Sequence, residues 1–511
     1  MTRPALALVT LAALGGGLGA CGGDSTAYIV VTVEGRAAVH DATTLKITLS
    51  NGGTMRTDEL VLGTKTFPVT FSISAPGRTG DLGIDVEALD QAGLLVGKGA
   101  TTSMVDTLTA SVMLESADFV INTDFAGDQF PSDDFEAHGF QVAAASDGTW
   151  TAAYRDACMA PCNMFARRFD KTGRPVSTKV AAGINGFPIS TSLTSGSSTP
   201  AIATSGTTTA EVWDFEDSSV MPATAGIACR SIDATGQGIP AQIAVASDPS
   251  PDVVSIAPLS NGNFALSWNS LSTAVIRSAI VKPDCTLLPL SLTTVSTTAS
   301  ANRAVVASTT QAPGAIMYAF IVAGGVRVRL ANNTNTYATP MDLQFLPKTP
   351  TESVTSVRVA PLGTGFAVIV RWALDAGTGP GRIELYRTTA TGAVMGSSIP
   401  VTTKSGSDFD SHEAFGVATR ADGVMMIVWH ACLTNGDGSG CGVFGRAYRS
   451  DGSPVGEEFV VPTTTTGDQT NPSVVGLDDS FAVIWKDDSG QAPDVAGAAV
   501  RGRIIYPTAT N

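Results

Sequence analysis

Carboxylates in loops are one group of side chains in this sequence that could carry out chemistry. They occur in short runs, at Asp133–Asp134 with Glu136, Asp408 with Asp410, Asp437, Asp478–Asp479 and Asp487–Asp488. Paired carboxylates can cleave a glycosidic bond as acid and base, and several in one loop can coordinate Ca²⁺. None of the runs shows the calcium-loop pattern of aspartates at alternate positions with a closing glutamate. We therefore interpret them as solvated turns and leave calcium open as the one cofactor.

Histidine, the usual general base near neutral pH, occurs only four times, at His40, His138, His412 and His430. None of the four lies in a Ser/His/Asp context or in an HExxH motif. The sequence therefore predicts neither a hydrolase triad nor a zinc protease. No residue is assigned a catalytic role at this stage.

Six of the seven cysteines are expected to form disulfides. The expected pairs are Cys158 with Cys162, Cys432 with Cys441, and Cys229 with Cys285. The first two pairs flank loops at equivalent places of two repeats, and the third would join adjacent repeats. An even number of cysteines is typical of an oxidising compartment. Since His430 is the only other ligand type near a local pair, no metal site is predicted.

The first twenty residues have the pattern of an export signal, with Arg3 followed by an apolar stretch and then small residues. The run Leu18-Gly19-Ala20-Cys21 resembles the bacterial lipobox. The resemblance implies a signal peptide over residues 1–20, a lipidated Cys21 and a linker over 21–26. Because Gly22 stands where an Asp would favour the inner membrane, it also implies a lipid anchor in the bacterial outer membrane. The leaflet, facing either the periplasm or the cell surface, stays open.

The composition excludes one class of partner. The chain of 511 residues has a formal net charge of −15 and is 43% hydrophobic but only 15% charged. An acidic surface repels the phosphate backbone, so we expect no nucleic-acid partner. Few charged residues and 53 glycines favour many short strands joined by turns over helices.

Five of the six tryptophans recur at steps of about 55 residues or twice that, which is typical of a repeated supersecondary unit. They are Trp213, Trp268, Trp372, Trp429 and Trp485, and Tyr154 and Tyr318 complete a set of seven. Seven repeats predict a seven-bladed β-propeller over residues 117–511. The arginines Arg167, Arg230, Arg446 and Arg503 recur at one position of the repeat, which indicates a role in blade architecture.

The two ends of the repeat region share a pattern that predicts how a ring would close. Phe459–Thr463 with Gly467-Asp468-Gln469 joins the last two units, and Phe119–Thr123 with Gly127-Asp128-Gln129 precedes the first unit. The last unit ends without an outer strand of its own. We therefore expect Phe119–Thr123 to complete the last blade, which removes an open sheet edge. The repeats resemble the degenerate propellers of large exported bacterial surface proteins.

Residues 27–116 do not share this period. They contain short alternating runs separated by turn signals such as Asn51-Gly52-Gly53, which favours a small antiparallel β-sandwich. The pattern resembles the Ig-like modules behind the anchors of bacterial surface lipoproteins. The fold class is thus all-β, a sandwich followed by a propeller.

Two functions follow from these observations. The first is a noncatalytic cell-envelope lipoprotein whose propeller is a platform for binding a protein or a glycan. The alternative is a propeller enzyme that cleaves glycans, either a glycosidase or a lyase. Two loop carboxylates facing one another near the central axis would favour the alternative.

Overall fold

A computed structural model of the chain forms two compact units, Met1–Phe119 and Val120–Asn511. The structure describes residues 7–9, 28–76, 78–122, 141–155, 164–176, 187–188, 200–217, 224–233, 243–298, 301–309, 315–338, 343–374, 381–402, 415–432, 436–495 and 497–507. Every regular element within these ranges is a strand. No helix in them is long and apolar enough to cross a lipid bilayer.

The first unit contains one eight-stranded sheet instead of a separate pair of sheets. Its strands are β1 (Ala7–Val9), β2 (Tyr28–Gly35), β3 (Thr44–Asn51), β4 (Thr54–Val61), β5 (Val69–Ser74), β6 (Asp81–Leu89), β7 (Leu95–Met104) and β8 (Thr109–Ser116). The strand order is β1-β5-β2-β8-β7-β6-β3-β4. The expected β-sandwich is therefore not confirmed.

Strand β8 is the reason why the sheet is continuous. It pairs in parallel with β2 along most of its length and in antiparallel with the start of β7 through its last two residues. The sheet curls at this point, so that Ile29 and Phe71 from one half meet Ile47 and Ile84 from the other in a single core. Alternation along a strand shows which side chains are buried, but it does not show whether two halves are joined.

The second unit consists of seven four-stranded sheets. In chain order the first four are β10 (Gln141–Ala144), β11 (Trp150–Arg155), β12 (Met164–Phe169) and β13 (Phe187–Pro188); β14 (Ala201–Ser205), β15 (Thr208–Asp217), β16 (Thr224–Ile232) and β17 (Ile243–Ser247); β18 (Pro251–Pro258), β19 (Phe264–Ser270), β20 (Val275–Val281) and β21 (Thr293–Ser296); and β22 (Ala301–Ser308), β23 (Ile316–Val322), β24 (Gly325–Ala331) and β25 (Leu343–Leu346). The last three are β26 (Glu352–Leu362), β27 (Gly365–Leu374), β28 (Arg382–Thr388) and β29 (Ile399–Pro400); β30 (Phe415–Thr419), β31 (Met425–Ala431), β32 (Gly442–Tyr448) and β33 (Pro454–Val460); and β34 (Gln469–Gly476), β35 (Phe481–Asp487) and β36 (Ala499–Ile505) with β9 (Phe119–Val120).

The innermost strands of these sheets form a closed ring. Each one, from β10 through β34, contacts the innermost strand of the next sheet, and β34 contacts β10. The prediction of a seven-bladed propeller is confirmed.

Six of the seven repeated aromatic side chains lie at one position of the second strand, and in the fourth blade Phe320 takes this position, two residues after the expected Tyr318. All seven are at most 3% exposed. Trp268 packs in one cluster with Val212 of the blade before it, and Trp485 packs in the same way against Val428. Each of these tryptophans therefore fills the space between its own blade and the preceding one.

The recurrent arginine position connects neighbouring blades through hydrogen bonds. Arg167 donates through Nη1 to the carbonyl of Ile121, and Arg503 donates to the carbonyl of Val461 at 2.6 Å. Each acceptor belongs to the segment at the outer edge of the preceding blade. The expected architectural role of this position is thus visible in two blades.

Glu211 departs from this repeat in an unexpected way. Glu211 pairs across the strands with Arg230. In three other blades the residue that pairs with the equivalent arginine is apolar, namely Ala152, Ile427 or Val483. Glu211 is fully buried, and neither of its carboxyl oxygens has a hydrogen-bond partner among the described residues. Burial raises its pKa well above the ordinary 4.5, and the charge of Arg230 opposes this shift. The carboxyl group therefore keeps its proton at a pH where an exposed glutamate has lost it.

This buried acid makes stability depend on pH. Below pH 4.5 the Glu211 carboxyl is protonated in both the folded and the unfolded chain. Above this pH the carboxyl ionises in the unfolded chain only. The free energy of unfolding therefore falls by up to about 1.4 kcal/mol per pH unit until the pH reaches the pKa of the folded state. We expect Glu211→Gln to have no effect on the free energy of unfolding at pH 4 and to raise it at pH 8. Urea unfolding at both pH values measures this difference.

The matched control is Glu457→Gln, because Glu457 is 84% exposed. It should change stability by less than about 0.5 kcal/mol at either pH. A Glu211→Gln variant that is less stable than the parent at pH 8 would show instead that Glu211 is ionised and paired with Arg230.

Candidate functional site

The ring encloses a central cavity of about 190 Å³. All seven innermost strands contribute to its wall. These strands are edge strands, so their backbone N–H and C=O groups on the axial side have no neighbouring strand and face the cavity. None of the described residues that line it carries a carboxylate. Within this part of the chain, the acid and base that the enzymatic alternative placed near the axis are therefore not in the channel wall.

Arg358 on β26 is the one charged side chain among the residues that line this cavity. Its Nη1 donates to Ser356 Oγ at 3.3 Å and to the carbonyl of Val357 at 2.8 Å. Its guanidinium carbon lies 5.2 Å from the centre of the Phe415 ring, within the range of a cation–π contact. These contacts direct the side chain back along β26, toward the end at which the strand begins.

Beta-bulges distort the beginnings of several innermost strands. The register shifts between Asp252 and Ser255 in β18 and between Thr470 and Ser473 in β34. Val253 and Asn471 within these bulges have φ values of 44° and 53°, a region that costs non-glycine residues energy. Both residues line the cavity. Bulges re-aim side chains and are frequent beside active sites, so they mark this end of the channel.

Two carboxylates, Asp437 and Asp468, lie at this end of the channel. We call this end the upper rim and define it as the loops 432–441 and 461–468 beside the start of β34. Gln469, the first residue of β34, donates its backbone N–H to the carbonyl of Cys441 at 2.7 Å. Asp468 Oδ1 accepts the backbone N–H of Cys441 at 2.9 Å. A Cβ on Gly440 would lie 2.3 Å from that Asp468 oxygen, so the close approach requires glycine there. The two loops are thus held together at the rim.

Asp437 is the second of these carboxylates. Its Oδ1 accepts the backbone N–H of Ser439 at 3.2 Å, and its Oδ2 has no hydrogen-bond partner among the described residues. Burial raises the pKa of Asp437, and the nearby negative charge of Asp468 raises it further. Asp468 itself is exposed to solvent. A carboxyl group with a raised pKa therefore lies within electrostatic range of an exposed carboxylate.

Disulfides support this arrangement. Cys432 and Cys441 are bonded and close the rim loop that carries Asp437. Cys229 and Cys285 are bonded and join the second blade to the third. Both pairings are those expected from the sequence. Cys21, Cys158 and Cys162 lie outside the described residues.

Two further loop carboxylates have structural contacts. Arg501 Nε donates to Asp487 Oδ2 at 2.7 Å, and both side chains are at most 4% exposed. Lys486 Nζ donates to Asp488 Oδ2, also at 2.7 Å. Asp478 and Asp479 lie in the turn between β34 and β35, at the opposite end of that blade.

Among the histidines, His430 is 5% exposed within the sixth blade, and His40 Nδ1 lies 2.7 Å from Asp41 Oδ2 in the first unit. The other candidates, Asp133, Asp134, Glu136, His138, Asp408, Asp410 and His412, lie outside the described residues.

Within the described ranges, no group of three or more His, Cys, Asp or Glu residues is arranged to hold a metal ion. Asp437 and Asp468 are only two, and a backbone amide already occupies one oxygen of each.

No protein family and no curated protein sequence matches this chain. Among solved structures, an ulvan lyase of the polysaccharide lyase family PL25 is 8% identical with a TM-score of 0.46, covering 76% of this chain and 96% of that one. A second polysaccharide lyase is 10% identical with a TM-score of 0.45, covering 77% and 99%. An α-L-arabinofuranosidase from Podospora anserina is 11% identical with a TM-score of 0.31, covering 51% and 92%.

All three of these proteins are enzymes by name, one glycosidase and two polysaccharide lyases. They contradict the prediction of a noncatalytic binding platform and favour its alternative, a glycan-cleaving enzyme. The prediction rested on the lack of a sequence motif, but side chains such as Asp437 and Asp468, which only the fold brings near each other, leave no such motif. At these identities and TM-scores the likeness assigns no chemistry, which has to be argued from the residues of this chain.

Proposed function

We propose that this protein is a glycan-cleaving enzyme that uses Asp437 and Asp468 as an acid–base pair at the upper rim. The observation that carries the proposal is the position of the two carboxyl groups, with Asp437 on the disulfide-closed loop and Asp468 on the linker that accepts the Cys441 N–H at 2.9 Å. Burial and, to a smaller extent, the charge of Asp468 also raise the pKa of Asp437. Two titratable groups whose environments differ in this way are the usual basis for dividing acid and base roles.

The two side chains suit different steps. Asp437 keeps its proton above the ordinary pKa of an aspartate and can donate it to the leaving glycosidic oxygen. Asp468 is exposed and can take a proton, from water in a hydrolase or from a sugar carbon in a lyase. The closed Cys432–Cys441 loop keeps both carboxyl groups in place, which general acid–base catalysis requires.

The acid–base pair predicts how activity changes with mutation and with pH. We expect Asp437→Asn and Asp468→Asn each to lower kcat by about 10²- to 10⁴-fold, the usual contribution of one general acid or base. Because Asp437 acts in its protonated form, kcat should fall as pH rises through its raised pKa. Assays of the purified full chain on ulvan, arabinan and polygalacturonate, with reducing ends and unsaturated products both followed, test this.

Asp451→Asn is the matched control, since Asp451 is an exposed loop carboxylate of the sixth blade that accepts from Ser453 at the end opposite the rim. It should leave kcat unchanged. Cleavage that persists at the parental rate in both rim variants would refute the assignment of the pair.

We also propose, on the sequence pattern of residues 1–21, that the mature protein is anchored to the outer membrane by a lipid on Cys21. In this arrangement residues 27–116 lie between the anchor and the propeller in the chain, and the described part of the expected closing segment, residues 119–122, completes the seventh blade. The hydrogen bond from the Ile121 N–H to the Val500 carbonyl at 2.8 Å supports the latter point. An enzyme placed in this way meets polymeric glycans outside the inner membrane.

Lipidation predicts a change of location on mutation. Cys21→Ser should move the protein from the membrane fraction to the soluble fraction, because acyl chains dominate the membrane affinity of such a protein. Mass spectrometry of the parental N-terminus should find an acylated Cys21. A free thiol at this residue, or cleavage at another site, would contradict the anchor.

A further inference from the structure

The cavity behind the upper rim has a charge opposite to that of the protein. The chain as a whole carries a formal net charge of −15, yet the one charged group among the residues lining the cavity is the Arg358 cation. The other blades place Ala257, Ala418 and Val475 at the same register on their innermost strands. An arginine at a position that packs small apolar side chains elsewhere breaks the repeat, and such breaks concentrate at functional sites.

The size of the cavity limits what can enter it. At about 190 Å³ it is smaller than the roughly 300 Å³ at which pockets for whole ligands begin. It has room for a carboxylate or sulfate group with a few water molecules, at about 30 Å³ per water. The walls supply polar partners for such a group through backbone groups of the edge strands and the side chains of Ser255, Ser473 and Asn471.

One strand connects the cavity to the rim carboxylates. Asn471 lines the cavity, and Asp468 precedes it by three residues at the start of β34. Three residues of extended chain span about 10 Å. A glycan that lies over Asp468 can therefore place a substituent near the cavity mouth. A neutral substituent would gain little there, whereas an oxyanion would meet the guanidinium in a partly desolvated site.

We infer that the channel binds the acidic group of a glycan, a carboxylate or sulfate, with Arg358 as the residue that recognises it. This inference rests on the proposed function and names its substrate class as an acidic polysaccharide. A free oxyanion such as inorganic sulfate would make the same contacts with Arg358, so the experiment compares the glycan with the free ion.

The test compares a tetragalacturonate with its methyl ester, which has the same sugars without the charge. Calorimetry on the full-length Asp468→Asn protein, in which we expect cleavage to be about 10²- to 10⁴-fold slower, should detect binding of the acid and not of the ester. Adding Arg358→Met should weaken binding of the acid by about 10- to 100-fold, the contribution of hydrogen bonds to a charged group. Arg358→Lys keeps the charge and should lose less, and higher ionic strength should weaken binding.

Arg449→Met, which alters an exposed arginine on a turn of the sixth blade, is the matched control and should bind like the parent. Equal affinity for acid and ester, or unchanged binding in both Arg358 variants, would overturn the inference. Inorganic sulfate that binds through Arg358 while the tetragalacturonate does not would assign the site to a free ion and would also overturn it. Binding of the acid through Arg358 without cleavage by the parent protein would support the inference and refute only the proposed function.

Discussion

The packing of one aromatic side chain between each pair of adjacent blades is the interaction on which this structure depends. A sheet with an apolar face has to bury that face against another element, and each blade does so against the next. Trp268 and Trp485 make this contact with small and branched residues of the blade before them. The contact recurs from blade to blade, and the ring closes with β34 against β10.

Closure of the ring has a chemical consequence. It leaves seven innermost strands with unpaired axial edges, and it brings loops of different blades together at the upper rim. Asp437 and Asp468 come from loops about 30 residues apart in the chain, and they meet because Cys441 contacts both the start of β34 and Asp468. In the proposed mechanism the propeller separates two tasks, with proton transfer at the rim and charge recognition by Arg358 in the channel.

The repeat was predictable from the sequence because a blade has to bury a large aromatic side chain at a fixed place. The tryptophan spacing follows from this local demand, and the recurrent arginines and two disulfides were predicted from their places in the same repeat. The continuous sheet of the first unit was not predictable, since β8 changes its partner from β2 to β7 through only two residues at its end.

The candidate site was predictable only in part. Asp437 stood out as a loop carboxylate, but Asp468 had the pattern of a linker between blades, and only the fold shows that the two interact. Glu211 and Arg358 did carry a signal, because each is charged where the other blades are apolar. Alignment of the innermost and second strands, and not only of the tryptophans, would have revealed both.

The central claim is that the rim carboxylates and the channel cation act on one acidic glycan. A crystal structure of the Asp468→Asn variant soaked with tetragalacturonate tests it most directly. The account predicts a sugar carboxylate within hydrogen-bond distance, about 3 Å, of the Arg358 guanidinium and a glycosidic oxygen within the same reach of Asp437. An oligosaccharide bound elsewhere on the propeller, with the rim and the cavity empty, would contradict it.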